Sequence, residues 1–276
     1  MELKVSVIFT TYNSVEWLEK VIWGFAIQDF KDFEVIIADD GSGPETKAKI
    51  EECQNEFDLE IHHVWHPDDG FQKSKILNKA IEKSSTDYLI FTDGDCIPRH
   101  DFVRVHHDHA GRGFILSGGY FKLPMDTSKL ITREDVFDGN VFNKEWLLSN
   151  GTPNTYKFLK LTSEGWLENA LNKFTPAGAP WNGHNSSGWK DDIVKVNGFN
   201  EEMQYGGQDR ELGERLFNLG IKSKQIRYSA ICVHLDHKRG YATKESIDKN
   251  LAIRKNTRQN KITWTKNGII KSDQPG

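Results

Sequence analysis

Short apolar runs alternate with segments of helical spacing through the first 120 residues. Residues 4–9, 33–38, 59–65 and 87–92 are rich in β-branched and aromatic side chains and too short for helices, so they read as strands. Between the first two, Val15, Leu18, Ile22 and Phe25 recur at helical intervals, with Asn13 or Ser14 placed to cap the helix. Residues 44–55 predict a polar helix, and residues 71–84 predict one with Ile76, Leu77, Ala80 and Ile81 on its inner side. This alternation predicts an α/β fold, a Rossmann-like parallel sheet flanked by helices.

The pattern is less regular afterwards. Residues 98–110 predict a helix and residues 114–120 a strand in which Gly118 and Gly119 permit close approach. Residues 122–178 mix short helical patterns such as Glu145-Trp146-Leu147-Leu148 with polar loops. Residues 179–190 lead into a helix over 191–196, and a second helix over 210–219 carries Leu212, Leu216 and Leu219. A strand is expected over 226–235 and a Lys/Arg-rich helical tail over 244–271.

Three polar loops fall at strand C-termini, over residues 10–13, 39–42 and 93–95, and in an open α/β sheet ligands sit at that edge. Asp93-Gly94-Asp95 can turn two carboxylates toward one point, as oxygen-ligated Mg²⁺ or Mn²⁺ requires. Each loop taken alone also reads as an ordinary turn or helix cap. No Gly-x-Gly-x-x-Gly follows the first strand and no Gly-Lys-Ser/Thr occurs, which disfavours a dinucleotide site and a P-loop.

A net charge of −4 argues against nucleic acid as the main partner. With 276 residues, 8 Trp and 16 Phe, the chain can bury a substantial core. Cys53, Cys96 and Cys232 are odd in number and far apart, which fits a reducing compartment. No signal peptide or bilayer-length apolar run is evident, so a cytoplasmic protein is expected, or one peripheral to the inner face of the plasma membrane. His100, His106, His107 and His109 share the helix after the Asp93–Asp95 turn, but no third ligand closes a zinc site, and they read as a polar helix face.

The runs Val5-Ser6-Val7-Ile8-Phe9-Thr10-Thr11-Tyr12-Asn13, then residues 33–42 ending in Asp39-Asp40-Gly41-Ser42, then Thr92-Asp93-Gly94-Asp95 resemble family-2 glycosyltransferases with the GT-A fold. That fold is a mostly parallel mixed sheet with a C-terminal acceptor-binding half. The resemblance implies a UDP-sugar donor and a DXD metal motif. Thr10, Tyr12 and Asn13 would border the nucleobase, Asp40 would accept from uracil N3–H, Asp93 would face the ribose, and Asp95 would hold Mn²⁺ or Mg²⁺. Residues 71–78 are similar to a segment of chondroitin-polymerase-like members, implying donor contacts for Gln72 and for Lys75, which stands where an arginine is expected.

Residues 179–209 resemble the catalytic segment of β-galactosyltransferases and chondroitin-polymerase domains. The resemblance implies Asp209 as general base, with Asn185, Gly206 and Gly207 lining donor sugar and acceptor. His184 and Gln208 depart from that pattern, standing where a glycine and a glutamate are usual. A histidine past the base completes the metal site in such relatives, here His234 or alternatively His237, while Lys238 and Arg239 could clamp the diphosphate.

The expected organisation is a donor half over 1–120, an acceptor and catalytic half over 121–243, and a basic tail over 244–276 that could touch a membrane. The implied reaction is an inverting, metal-dependent transfer of a hexose or N-acetylhexosamine to a saccharide or glycolipid acceptor in bacterial surface polysaccharide or lipopolysaccharide synthesis. The rival readings are a sugar-phosphate nucleotidyltransferase and a non-catalytic carbohydrate-binding subunit. Trp146, Tyr156, Trp166 and Trp181 are candidates for sugar stacking or for core.

Overall fold

The computed structural model describes residues 3–237 and 243–271. The first half runs β1 (Val5–Thr11), α1 (Val15–Ala26), β2 (Phe33–Asp39), α2 (Pro44–Glu56), β3 (Ile61–Trp65), α3 (Lys73–Lys83) and β4 (Tyr88–Asp93). It continues with β5 (Cys96–Pro98), α4 (Phe102–His109), β6 (Phe114–Ser117) and β7 (Gly119–Lys122). Five short helices follow, α5 (Met125–Leu130), α6 (Arg133–Phe137), α7 (Lys144–Ser149), α8 (Leu159–Thr162) and α9 (Gly165–Phe174). The chain then forms β8 (Asn185–Trp189), α10 (Lys190–Lys195), α11 (Gln208–Asn218), β9 (Lys222–Gln225), β10 (Ile231–His234) and α12 (Lys244–Gln259).

A seven-stranded mixed sheet has the order β3-β2-β1-β4-β8-β6-β9, with β3, β2, β1 and β4 mutually parallel. Side chains alternate across each strand, so both faces are apolar. Val7, Phe9, Val35, Ile37 and Ile90 pack against Leu18, Ile22 and Phe25 of α1. Ile8, Ile36, Leu89 and Phe91 pack against Ile76 and Leu77 of α3 and Leu212 and Leu216 of α11. A second sheet, β5-β10-β7, holds the segments that follow β4 and β6.

The expected strand over 114–120 is two strands, one in each sheet. The chain breaks at Gly118, where an ideal Cβ would lie 1.9 Å from Asn185 Oδ1, so no larger residue fits. The expected strand over 226–235 shortens to β10, because Ser229 and Ala230 both donate backbone bonds to Ile226 in a turn. The exposed edge strand β9 carries no apolar signal.

β8 is the larger surprise. Asn185-Ser186-Ser187-Gly188-Trp189 sits antiparallel between β4 and β6 with its polar side chains buried. The side chains of Asn185, Ser186 and Ser187 are matched inside the protein, while the Trp189 indole N–H has no partner among the described residues. Ser187 Oγ bonds Tyr88 OH at 2.8 Å and His106 Nδ1 at 2.7 Å. Asn185 Oδ1 bonds His106 Nε2 at 2.9 Å, and its amide donates to the carbonyls of Gly119 and Ala230. His106 is therefore a buried core group on α4, correcting its reading as part of a polar face. Burial holds its imidazole down to about 3.

Part of the basic tail is engaged in ion pairs. α12 lies along α11, Arg254 and Arg258 both meet Glu214, and Lys249 meets Glu202.

Two expectations follow. Asn185→Ala leaves two buried carbonyls and one imidazole nitrogen without their partner, and urea denaturation should show a loss of about 2–4 kcal/mol. Stability should also fall as pH drops from the ordinary histidine value of 6.5 toward 3, because the unfolded chain binds a proton that His106 excludes when folded. Above 6.5 this contribution is fully present. Urea titrations at stepped pH should show a shallower fall for His106→Gln.

Candidate active site

The C-terminal ends of β1, β2 and β4 open into a cavity of about 810 Å³. Gly94 N–H donates to Thr10 O at 3.0 Å, and an ideal Cβ on Gly94 would lie 2.4 Å from that oxygen. The glycine thus lets the turn press onto β1 and carry Asp93 and Asp95 into the cavity. Thr10, Tyr12, Asn13 and Asp40 line this cavity, as do Gly206, Gly207, Asp209 and His234.

Asp40 is buried. Its Oδ1 meets His66 Nε2 at 2.8 Å, and its Oδ2 accepts from Gln72 N–H at 3.0 Å. Burial raises its pKa, with His66 and the Gln72 amide opposing. Tyr12 OH donates to Asp68 at 2.9 Å. Asn13 adopts φ 44°, accepts from Gly43 N–H and takes Ser42 Oγ on its own N–H, which ties the first two loops together.

At the metal-type corner, Asp95, His234 and His237 bring one ligand atom each within 4.8 Å of one another. His237 Nε2 is 3.0 Å from Asp95 Oδ2, and His234 Nε2 is 3.8 Å from Oδ1. His234 Nδ1–H donates to Leu235 O at 2.7 Å, which leaves Nε2 aimed at Asp95. Burial raises the Asp95 pKa, but the His237 hydrogen bond and the charges of His234, His237 and Lys73 outweigh it and bring the carboxyl to about 2. One carboxylate with two imidazoles is a donor set that fits a divalent metal cation.

Asp209 lies in the first turn of α11, and its Oδ2 accepts from Gly183 N–H at 2.9 Å. Gly206 and Gly207 adopt φ 117° and 88°, the left-handed region that lets the loop turn into the helix. Gln208 folds back onto this loop, its Oε1 accepting from Gly206 N–H at 3.1 Å. His184 lines the cavity, its ring edge-on to Tyr120 at 4.4 Å, and burial lowers its pKa to about 4.

Three expected contacts are corrected. Lys75 lies outside the cavity wall. Lys73 takes its place, because α3 begins at Lys73 and presents that residue toward the sheet edge. Lys73 Nζ donates to Asp93 Oδ1 at 2.6 Å. Burial lowers the Lys73 pKa, but Asp93, Asp209 and Asp95 raise it further, so the amine is charged. Gln72 reaches Asp40 only through its backbone, its side chain bonding Asp69 O. Asn185 is turned into the core. Lys238 and Arg239 fall outside the described residues. Trp181 is core, and none of Trp146, Tyr156, Trp166 and Trp181 lines the cavity. Sequence reasoning missed Tyr120 and Lys122 on the wall, since nothing in the run after Gly118 marks a change of sheet.

The model of "Glycosyl transferase family 2" matches residues 6–170, and that of "N-terminal domain of galactosyltransferase" matches residues 174–238. The uncharacterized glycosyltransferase YfnE of Bacillus subtilis is 25% identical over 91% of this chain and 69% of its own length. Other curated bacterial relatives are longer, with the chain spanning 16% to 33% of two of them. Mannosyltransferase PcManGT of Pyrobaculum calidifontis, solved with GDP-Man and Mn²⁺, superposes with a TM-score of 0.58 at 18% identity, over 94% of this chain and 62% of that one. Residues 1–349 of Staphylococcus aureus TarS, solved with UDP-GlcNAc, give 0.56 at 17% identity, over 87% and 60%. At these identities the structures establish a shared fold.

The electrostatics carry a direct test. Inorganic pyrophosphate should bind the cavity, and Lys73→Met should weaken it about tenfold by calorimetry. Lys75→Met should leave it unchanged.

Proposed function

The chain belongs to glycosyl transferase family 2 and is a glycosyltransferase, and from that premise we propose that it transfers a hexose or N-acetylhexosamine from a UDP-sugar to a saccharide acceptor with inversion. The observation that carries this reading is the meeting of Asp40, Asp93, Asp95 and Asp209 in one cavity at the sheet's C-terminal edge. Family membership sets aside the nucleotidyltransferase reading.

Asp40 selects the base. A uracil presents one N–H to a carboxylate whose two oxygens already accept His66 and the Gln72 amide. Guanine would present two donors, so GDP, the nucleotide bound by PcManGT, is the rival tested below. Lys73 sets a positive charge beside Asp93, where the diphosphate would pass. Asp95, His234 and His237 would hold Mn²⁺, since imidazole nitrogens suit it better than Mg²⁺. Bound there, a divalent cation supplies neutralisation of the charge that gathers on the departing diphosphate.

Asp209 accepts the proton of the acceptor hydroxyl as that oxygen attacks the anomeric carbon on the face opposite the leaving UDP. The Gly183 N–H holds the carboxylate in one orientation before substrate arrives. The attack inverts the anomeric centre and needs no covalent enzyme intermediate. Gln208, bonded back to Gly206, supplies hydrogen bonding without charge where relatives carry a glutamate, so it bears on acceptor choice. In this reading residues 1–120 form the donor half and 121–243 the acceptor half. The acceptor belongs to a bacterial surface polysaccharide or glycolipid.

Asp209→Asn should cut UDP release from a panel of UDP-hexoses and UDP-N-acetylhexosamines by about a hundredfold to ten-thousandfold. Its affinity for UDP should stay within about twofold of wild type. NMR of the product should show an anomeric configuration opposite to the donor's. Retained turnover in Asp209→Asn, or a retained configuration, contradicts the assignment.

A further inference from the structure

We propose that helix α9 and the turn before it dock the protein on an anionic lipid surface. A surface helix ordinarily turns its apolar stripe toward the core. α9 is built the other way round and buries none of its ten residues. Two of its polar positions, Glu168 and Asn172, face the protein. Glu168 accepts from Ser229 Oγ, while Asn172 donates to that hydroxyl at 2.7 Å and accepts from Tyr228 N–H at 2.9 Å. Glu168 and Asn172 are four residues apart and so share one side of the helix.

The opposite side carries Trp166 and Phe174, 80% and 75% exposed, with Leu167 beside them. Tyr156, 81% exposed, and Leu159 are further exposed apolar residues in the segment that leads into α9. Large apolar groups left on an outward helix face mark a contact surface.

The charges around the patch select the occupant. Lys157 and Lys173 are exposed on the same segment, and Lys173 Nζ sits 5.5 Å from the Phe174 ring centre. Between residues 156 and 174 the acidic side chains are Glu164 and the inward Glu168. Tryptophan, tyrosine and phenylalanine ringed by lysine are the composition of a helix lying in a bilayer interface. The core of a protein–protein contact is instead depleted in lysine. Among the described residues no helix is long and apolar enough to cross a membrane, so this contact is in-plane.

The patch is also coupled to the cavity. Lys160, between the two exposed stretches, donates to Tyr120 O at 2.8 Å, and Tyr120 lines the cavity beside His184. Docking through α9 sets the Tyr120 wall near the headgroups. The docking is independent of the reaction; that the acceptor is presented at the lipid surface rests on the transfer proposed above.

Flotation with vesicles of phosphatidylglycerol and phosphatidylcholine, against phosphatidylcholine alone, tests this. Wild type should partition onto the anionic vesicles with a blue-shifted tryptophan emission, and high salt should weaken it. Trp166→Ser/Phe174→Ser and, separately, Lys157→Glu/Lys173→Glu should each lower the partition at least about tenfold. Both variants should release UDP from UDP-sugars at the wild-type rate. If partition follows the pattern but no UDP-sugar turns over, docking stands and the transfer reading falls. Wild type that ignores anionic vesicles, or partition indifferent to Trp166 and Phe174, overturns the proposal. So does a self-associated species in sedimentation that only Trp166→Ser/Phe174→Ser dissociates, for then a second copy covers the face.

Discussion

The repulsion among carboxylates gathered at one sheet edge is the constraint the rest of the site answers to. Asp93, Asp95 and Asp209 line a single cavity, and like charges so placed repel one another. Lys73 relieves this at Asp93, and the His234–His237 pair relieves it at Asp95. Asp209 is held apart by a backbone amide from Gly183 rather than by a cation. Of the three, the carboxylate without an ion-pair partner among the described residues is the one proposed for proton transfer, while those beside Lys73 and the two histidines sit where the diphosphate and cation are proposed to bind.

The frame that keeps these groups in place is itself partly polar. β8 runs through the middle of the large sheet with serine and asparagine side chains buried, and its partners are Tyr88 on β4 and His106 on α4. A buried polar network is stabilising only when every member is matched, and here a change at one position leaves several groups unpaired. The same strand connects the loop carrying Gly183 and His184 to the core, so it links the position of Asp209 to the strand bearing Asp93.

Legibility in the sequence followed the apolar signal. β1, β2 and β4 and the loops at their ends were readable because apolar strands stop abruptly at polar residues, and that edge held most of the expected cavity wall. β8 was invisible because its buried side chains are mostly polar and are matched by Tyr88, His106 and distant backbone carbonyls instead of burying hydrocarbon. The run over 114–120 looked continuous because a glycine leaves no mark of the change of sheet that Gly118 permits. His106 passed for a surface residue because its matching groups lie 79 and 81 residues away. The exchange of Lys75 for Lys73 turned on where α3 begins, a boundary that periodicity fixes poorly.

The central claim is a donor site in which a nucleotide is held together with a divalent cation at Asp95. Calorimetric titration with UDP and with GDP, with and without Mn²⁺, on wild type and Asp95→Ala, tests it most directly. The account predicts UDP binding that requires Mn²⁺, exceeds that of GDP, and is lost in Asp95→Ala. Binding that ignores both Mn²⁺ and the substitution, or a preference for GDP, would contradict it.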